Sequence, residues 1–206
     1  MKKFFVVVFV LLLCTISQAQ LIRGIGLKAG GTVANQVWDY TGQSFIEPDG
    51  KVGLNIGGFV EFLDIPAFSI VGEVNYVQKR AEEELPGTTI ENPEVSAGTG
   101  IYEFGDDYLN ISALAKLRFS MVVIAPYIIA GPKIDFSLNR QIDADFEDDL
   151  ENARFGFKVG VGTEVDLKVI RLLAEFIYDY DLNKLYEGNN LSIKTNSFDF
   201  RIGIYL

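Results

Sequence analysis

From residue 22 to the end, the apolar residues recur every second position. An alternation of this kind makes a two-faced strand and cannot make a helix, whose apolar face returns every three or four residues. Val52, Leu54, Ile56, Gly58, Val60 and Phe62 share one parity, against Gly53, Asn55, Gly57, Phe59 and Glu61. Leu109, Ile111, Ala113, Ala115, Leu117 and Phe119 do the same against Asn110, Ser112, Leu114, Lys116 and Arg118. Eight such segments are predicted, over 22–37, 51–63, 68–79, 108–119, 126–138, 154–166, 169–180 and 195–206. After residue 20, no apolar run reaches the roughly 20 residues that a membrane helix needs.

The connections have a pattern of their own. Those at about 39–50, 80–107, 139–153 and 181–194 are long and polar. Asp64-Ile65-Pro66-Ala67, Ser120 to Ala125 and Asp166-Leu167-Lys168 are short. Long and short alternate strictly. An up-and-down meander therefore gathers all the long loops at one end and all the tight turns at the other, the asymmetry of an outer-membrane barrel with short periplasmic turns.

Residues 1–19 read as a cleaved signal peptide, leaving 20–206 as one barrel domain. Lys2 and Lys3 precede the apolar run Phe4–Leu13, and Ser17-Gln18-Ala19 supplies small residues before the cut. The run is too short for a membrane anchor. Leu13 before Cys14 argues against a lipid-modified cysteine, because a small residue is expected there. Removal of Lys2 and Lys3 takes the formal charge from −10 to −12, and removal of Cys14 leaves no thiol. So acidic a chain lacks the basic footprint of a nucleic-acid partner.

A soluble eight-stranded barrel with an apolar interior, of the lipocalin kind, is the competing architecture. Three features favour the inverse arrangement. The apolar parity carries almost no charge. The other carries Lys28, Glu61, Glu73, Lys116, Arg118, Lys133, Asp135, Lys158, Glu164, Glu175, Asp179, Asp199 and Arg201, nearly balanced in sign, as a closed interior requires. Glycines at 24, 26, 53, 57, 131, 156, 160, 162 and 203 share that parity and leave room for long side chains in a narrow bore. Aromatic residues of the apolar parity fall in two bands. Tyr76, Phe136, Phe155, Phe157, Tyr178, Tyr180, Phe198 and Phe200 lie near the long loops, and Phe62, Phe68 and Phe119 near the short turns. Membrane barrels carry aromatic girdles at both interfaces. The fold expected is thus all-β, an eight-stranded antiparallel up-and-down transmembrane barrel with long acidic extracellular loops and outer-membrane lipid around it.

Several stretches carry a family resemblance: Gly26-Leu27-Lys28-Ala29-Gly30, Glu73-Val74-Asn75-Tyr76-Val77-Gln78-Lys79, Tyr108-Leu109-Asn110-Ile111 with Lys116, and Pro126-Tyr127 through Ala130-Gly131-Pro132. Gly160-Val161-Gly162 with Glu164, Glu175 with Tyr178 and Leu182, and the final strand continue it. In their order these resemble the PorT-like outer-membrane β-barrel proteins of Gram-negative bacteria. Asn110 and Ser112 stand where that family often has Glu and Pro, and Ile177 and Asp181 where Arg and Gly are common. The resemblance implies an outer-membrane location and no catalytic residues. Some relatives serve protein secretion or gliding machinery.

The chain has no histidine, so hydrolytic sites built on an imidazole base are absent and no enzyme activity is expected. No cofactor is expected either. The interior charges read as a structural network that plugs the bore rather than as an ion path. The acidic loops 80–107 and 139–153 are the candidate surfaces for envelope protein partners, and could hold divalent cations only weakly. Asp143, Asp145 and Glu147 open like an EF-hand loop, but Asp148 stands where Gly is needed and Arg154 where the closing Glu belongs, so a solvated loop is expected and no metal site. Gly24-x-Gly26-x-x-Ala29 spells a dinucleotide fingerprint inside a strand with no following helix, and is set aside. Two roles remain: a structural or partner-binding protein, accessory to envelope secretion or motility machinery, or a small-solute channel.

Overall fold

A computed structural model describes residues 22–40, 49–65, 67–86, 99–119, 121, 123–141, 152–183, 186–187 and 191–206. The predicted signal peptide, residues 1–19, and the metal candidate Asp143, Asp145 and Glu147 lie outside them.

The strands are β1 (Ile22–Tyr40), β2 (Asp49–Ile65), β3 (Phe68–Pro86), β4 (Thr99–Arg118), β5 (Ile124–Gln141), β6 (Ala153–Asp166), β7 (Arg171–Asp181), β8 (Tyr186–Glu187) and β9 (Leu191–Tyr205). All pair antiparallel with their neighbours in chain order, except that the two-residue β8 sits beside β9, so β7 pairs β9 directly. The ladder of β1 on β9, from Gly26↔Tyr205 to Tyr40↔Leu191, closes the sheet. Eight long strands thus form a barrel with no free edge, which a spanning sheet requires because lipid offers no partner to an unpaired amide. Among the described residues no helix is long and apolar enough to cross a membrane.

The interior parity is as the alternation predicts, but the strand ends are not. β3 runs to Pro86 and β4 begins at Thr99, so residues 80–86 and 99–107, expected in a loop, are strand. β1, β2, β5 and β9 also outrun their predicted limits, and β8 lies in the expected loop 181–194. Alternating hydrophobicity marks only the stretch that meets two environments. A ladder continues as long as each backbone amide has a partner, whatever the side chains do. At most about 11 residues cross a bilayer, so strands of up to 20 residues stand well clear of it. β3 and β4 pair to Pro86↔Thr99, whereas β2 leaves β3 at Glu82 and β5 leaves β4 at Gly105. Their last rungs form a two-stranded ribbon above the rim. The wall is lowest at β6 and β7, whose pairing stops at Gly156↔Asp181.

The ladder has irregularities, two of them beside Arg23 and Pro132. Between Ile22↔Phe62 and Gly24↔Glu61 the register shifts by one residue, a bulge centred on Arg23. Between β4 and β5 the rungs run to Ser112↔Lys133 and resume at Ala115↔Ala130. Pro132, opposite Ala113 in that register, has no N–H to donate. On its other side the ladder is continuous through Pro132↔Phe157.

Candidate functional site

The strand pleat sends one set of side chains inward, and that set fills the barrel. All thirteen charged residues singled out by parity are buried there. Lys79, Arg154 and Asp181, absent from that set, join them. Their signal was faint because they stand at or near strand ends, where alternation is hardest to read. Arg23 has the outward parity and could not have been found by counting. The bulge turns it in, and it donates to Glu61 at 2.6 Å and Glu164 at 3.3 Å.

The charges form three groups. Nearest the short turns, Lys116 joins Arg23 between Glu61 and Glu164, and Ser69 and Tyr205 donate to Glu61. Halfway up, Lys28 lies 2.6 Å from Glu73 and 2.9 Å from Glu175, and Arg201 lies 2.9 Å and 2.7 Å from the same two carboxylates. Tyr127 donates to Glu175 at 2.7 Å. Toward the long-loop end, Lys79, Lys133 and Arg154 interlock with Asp135, Asp179 and Asp181, with Lys133 2.6 Å from Asp135 and Arg154 2.8 Å from Asp181. Lys158 donates to Asn110 at 2.6 Å and Thr32 to Asp199 at 2.7 Å.

Eight fully buried cations meet eight carboxylates, and Arg23 and Arg80 with Asp106 and Asp107 bring the described interior to ten of each sign. Lys28, Lys79, Lys116, Arg118, Lys133, Arg154, Lys158 and Arg201 face Glu61, Glu73, Asp135, Glu164, Glu175, Asp179, Asp181 and Asp199. Asp106 and Asp107 lie apart from these, toward the long-loop end, where Arg80 donates to Asp107 at 2.7 Å and Tyr108 donates to Asp106. Asp135, Asp179 and Asp181 come close enough together to suggest a metal site. Three cations already neutralise them, so the cluster fits no further positive ion.

The interior is not wholly polar. Phe59, Val71, Leu114, Tyr127, Ile129, Leu173 and Ile177 form an apolar cluster inside the barrel. Interior glycines make the space. A Cβ at Gly162 would collide with the ring of Tyr127, and one at Gly26 with Phe59. The outer face is apolar: Val52, Leu54, Ile56, Phe157, Val159, Val161 and Ile202 all face away from the interior. The charges are inside and the hydrocarbon surface outside, the reverse of a soluble barrel. The aromatic residues named from sequence also lie on the outer parity. Those near the long loops, Tyr76 apart, form an arc over β5, β6, β7 and β9. Phe198 stacks on Phe176 at 5.7 Å and meets Tyr178 at 5.0 Å. Phe62, Phe68 and Phe119 lie on β2, on β3 and just past β4. The two bands are therefore opposed arcs, not complete rings.

The sequence profile described as outer membrane protein beta-barrel domain matches residues 18–187. The fold is similar to Neisserial surface protein A, with a TM-score of 0.51, 12% identity, and coverage of 90% of this chain and 97% of that one. It is equally similar to the outer membrane protein OprG from Pseudomonas aeruginosa, with a TM-score of 0.51, 9% identity and the same two coverages. No curated protein sequence matches the chain.

Proposed function

The chain belongs to the outer membrane protein beta-barrel domain family, and from that premise we propose that it is a non-enzymatic, closed barrel that acts by binding a protein partner at its long-loop end. The matched interior carries this reading: eight buried cations, with the part-buried Arg23 and Arg80, against ten buried anions, drawn from all the long strands. Eight strands enclose a bore that side chains can just fill, and here paired charges and an apolar cluster fill it. What such a barrel offers the cell is at its ends. The β3–β4 ribbon rises above the rim as far as Pro86↔Thr99, and the sequences 80–107 and 139–153 are the acidic segments proposed to meet the partner. The resemblance to PorT-like proteins suggests the partner class, a component of envelope secretion or motility machinery.

Planar-bilayer recording tests the plug. The reading expects no steady single-channel current, and a reproducible open state would replace it with a small-solute channel. Crosslinking from intact envelopes tests the partner. Replacing 87–98 by a short Gly-Ser turn should leave insertion intact and abolish capture of the protein crosslinked to the unaltered chain. Failure to recover any reproducible crosslink would remove the partner-binding role.

A further inference from the structure

Two cavities meet end to end on the wall built by β7, β9 and β1. The first, of about 280 Å³, opens at the short-turn rim, with Arg23, Asp166, Lys168, Arg171 and Tyr205 around it. The second is a groove of about 760 Å³ on the outer face over Leu27, Ala29, Ile56, Leu172, Ile202 and Ile204. They are continuous along the strands. Ile170 and Leu206 line the first, and each lies two residues from a lining residue of the second, Leu172 or Ile204. The groove has a shallow floor at Ala29, which stands between large neighbours in the rung Ala174↔Ile202↔Ala29↔Ile56.

The rim pocket is cationic and held in shape. Lys168 sits in the β6–β7 turn at a φ of 66°, and its amide donates to Asp166 at 2.9 Å. Its ammonium has no ion pair among the described residues. Arg171 lies over the ring of Tyr205 at 5.0 Å, with its Nε 3.7 Å from Asp166, and its terminal nitrogens make no hydrogen bond among the described residues. Arg23 is already engaged by Glu61 and Glu164. Asp166 is the one acidic side chain in the lining. Beside these cations the turn exposes oily surface: Val169 is 96% exposed and Leu206 79%. A charged pocket at the rim that opens into an apolar groove matches an amphiphile with an anionic head and a long chain.

We infer that this wall binds one glycerophospholipid from the leaflet on the short-turn side. Its phosphate is held by Lys168 and Arg171, whose guanidinium can donate two parallel hydrogen bonds to it. One acyl chain fills the groove over Ala29, between Leu27, Ile56 and Ile202. The groove separates this ligand from free phosphate, which would use only the rim.

The test is native mass spectrometry of the processed full chain, released from nanodiscs of phosphatidylethanolamine and phosphatidylglycerol. One lipid is expected to stay bound. The double variant Lys168→Gln/Arg171→Gln should lower its retention at least tenfold. Ala29→Phe should do so as well, because Ala29 lines the groove on the outer face and the larger side chain fills it without touching a charge. Ala29→Leu provides a second groove variant should Ala29→Phe not fold, folding being read from the heat-dependent gel shift. Excess inorganic phosphate should not displace the lipid. Equal retention in the parent and in both kinds of variant would overturn the inference. So would displacement by inorganic phosphate, or loss with the charge variant alone, which would leave a bare anion site.

Discussion

Arg201 shows what a single residue does in this interior. It bonds Glu73 and Glu175 and is fully buried. Breaking a buried ion pair by removing one partner leaves an uncompensated charge and costs about 3–5 kcal/mol. Arg201→Met should therefore lower the unfolding free energy in lipid vesicles by about that much, followed in urea by the fluorescence of Trp38, the only tryptophan. A loss under about 1 kcal/mol would mean that water reaches the group and the interior is not closed. Gly162 makes the steric counterpart. Gly162→Val drives a side chain into the Tyr127 ring, so the folded band in an unheated gel should be lost or strongly reduced. A variant that runs like the parent would show that the ring has somewhere else to go. Parity alone picked out the thirteen charged interior residues listed from the sequence. It could not give Arg23, because one extra residue in a bulge inverts inside and outside.

At the scale of the strand, the break beside Pro132 is the informative feature. With no N–H at that position, the carbonyl of Ala113 faces β4's partner without a donor, in a ladder otherwise surrounded by hydrocarbon. An unsatisfied backbone group costs several kcal/mol there, whereas proline's stiffening of the unfolded chain returns only about 0.4–1 kcal/mol. Pro132→Ala should thus raise stability, by about 1–2 kcal/mol on those figures, with slower amide exchange at residues 113–115 and 130–132. Unchanged exchange would show that the carbonyl already has a partner. The existence and order of the eight long strands could be read from the chain, because each crosses between two environments that sort its side chains. Their ends could not. At the far end of β3, Glu82-Glu83-Glu84 carries no alternation although its backbone pairs on with β4.

For the whole molecule the governing fact is that its interior charges are matched and buried away from salt. Exposed pairs are screened within about 10 Å at 0.1 M ionic strength, and buried ones far less. Raising sodium chloride from about 0.1 to about 1 M should leave the urea midpoint nearly unchanged, and a large drop would place the network in contact with solvent. The apolar outer face and the closure could be anticipated. The apolar cluster around Leu114 and Ile129 was harder to see, since a leucine or isoleucine on the charged parity looks like noise until several strands bring such residues to one place.

Most partners in this interior are distant in sequence: Lys28 and Glu175 are 147 residues apart, and Arg201 and Glu73 are 128. None of these pairs can form before the first and last strands meet. While the polypeptide crosses the periplasm unassembled, the side chains that will later be sealed away are all free to hydrate. They hold apart the oily stretches between them, so the features that fill the finished barrel also keep its precursor dispersed on the way.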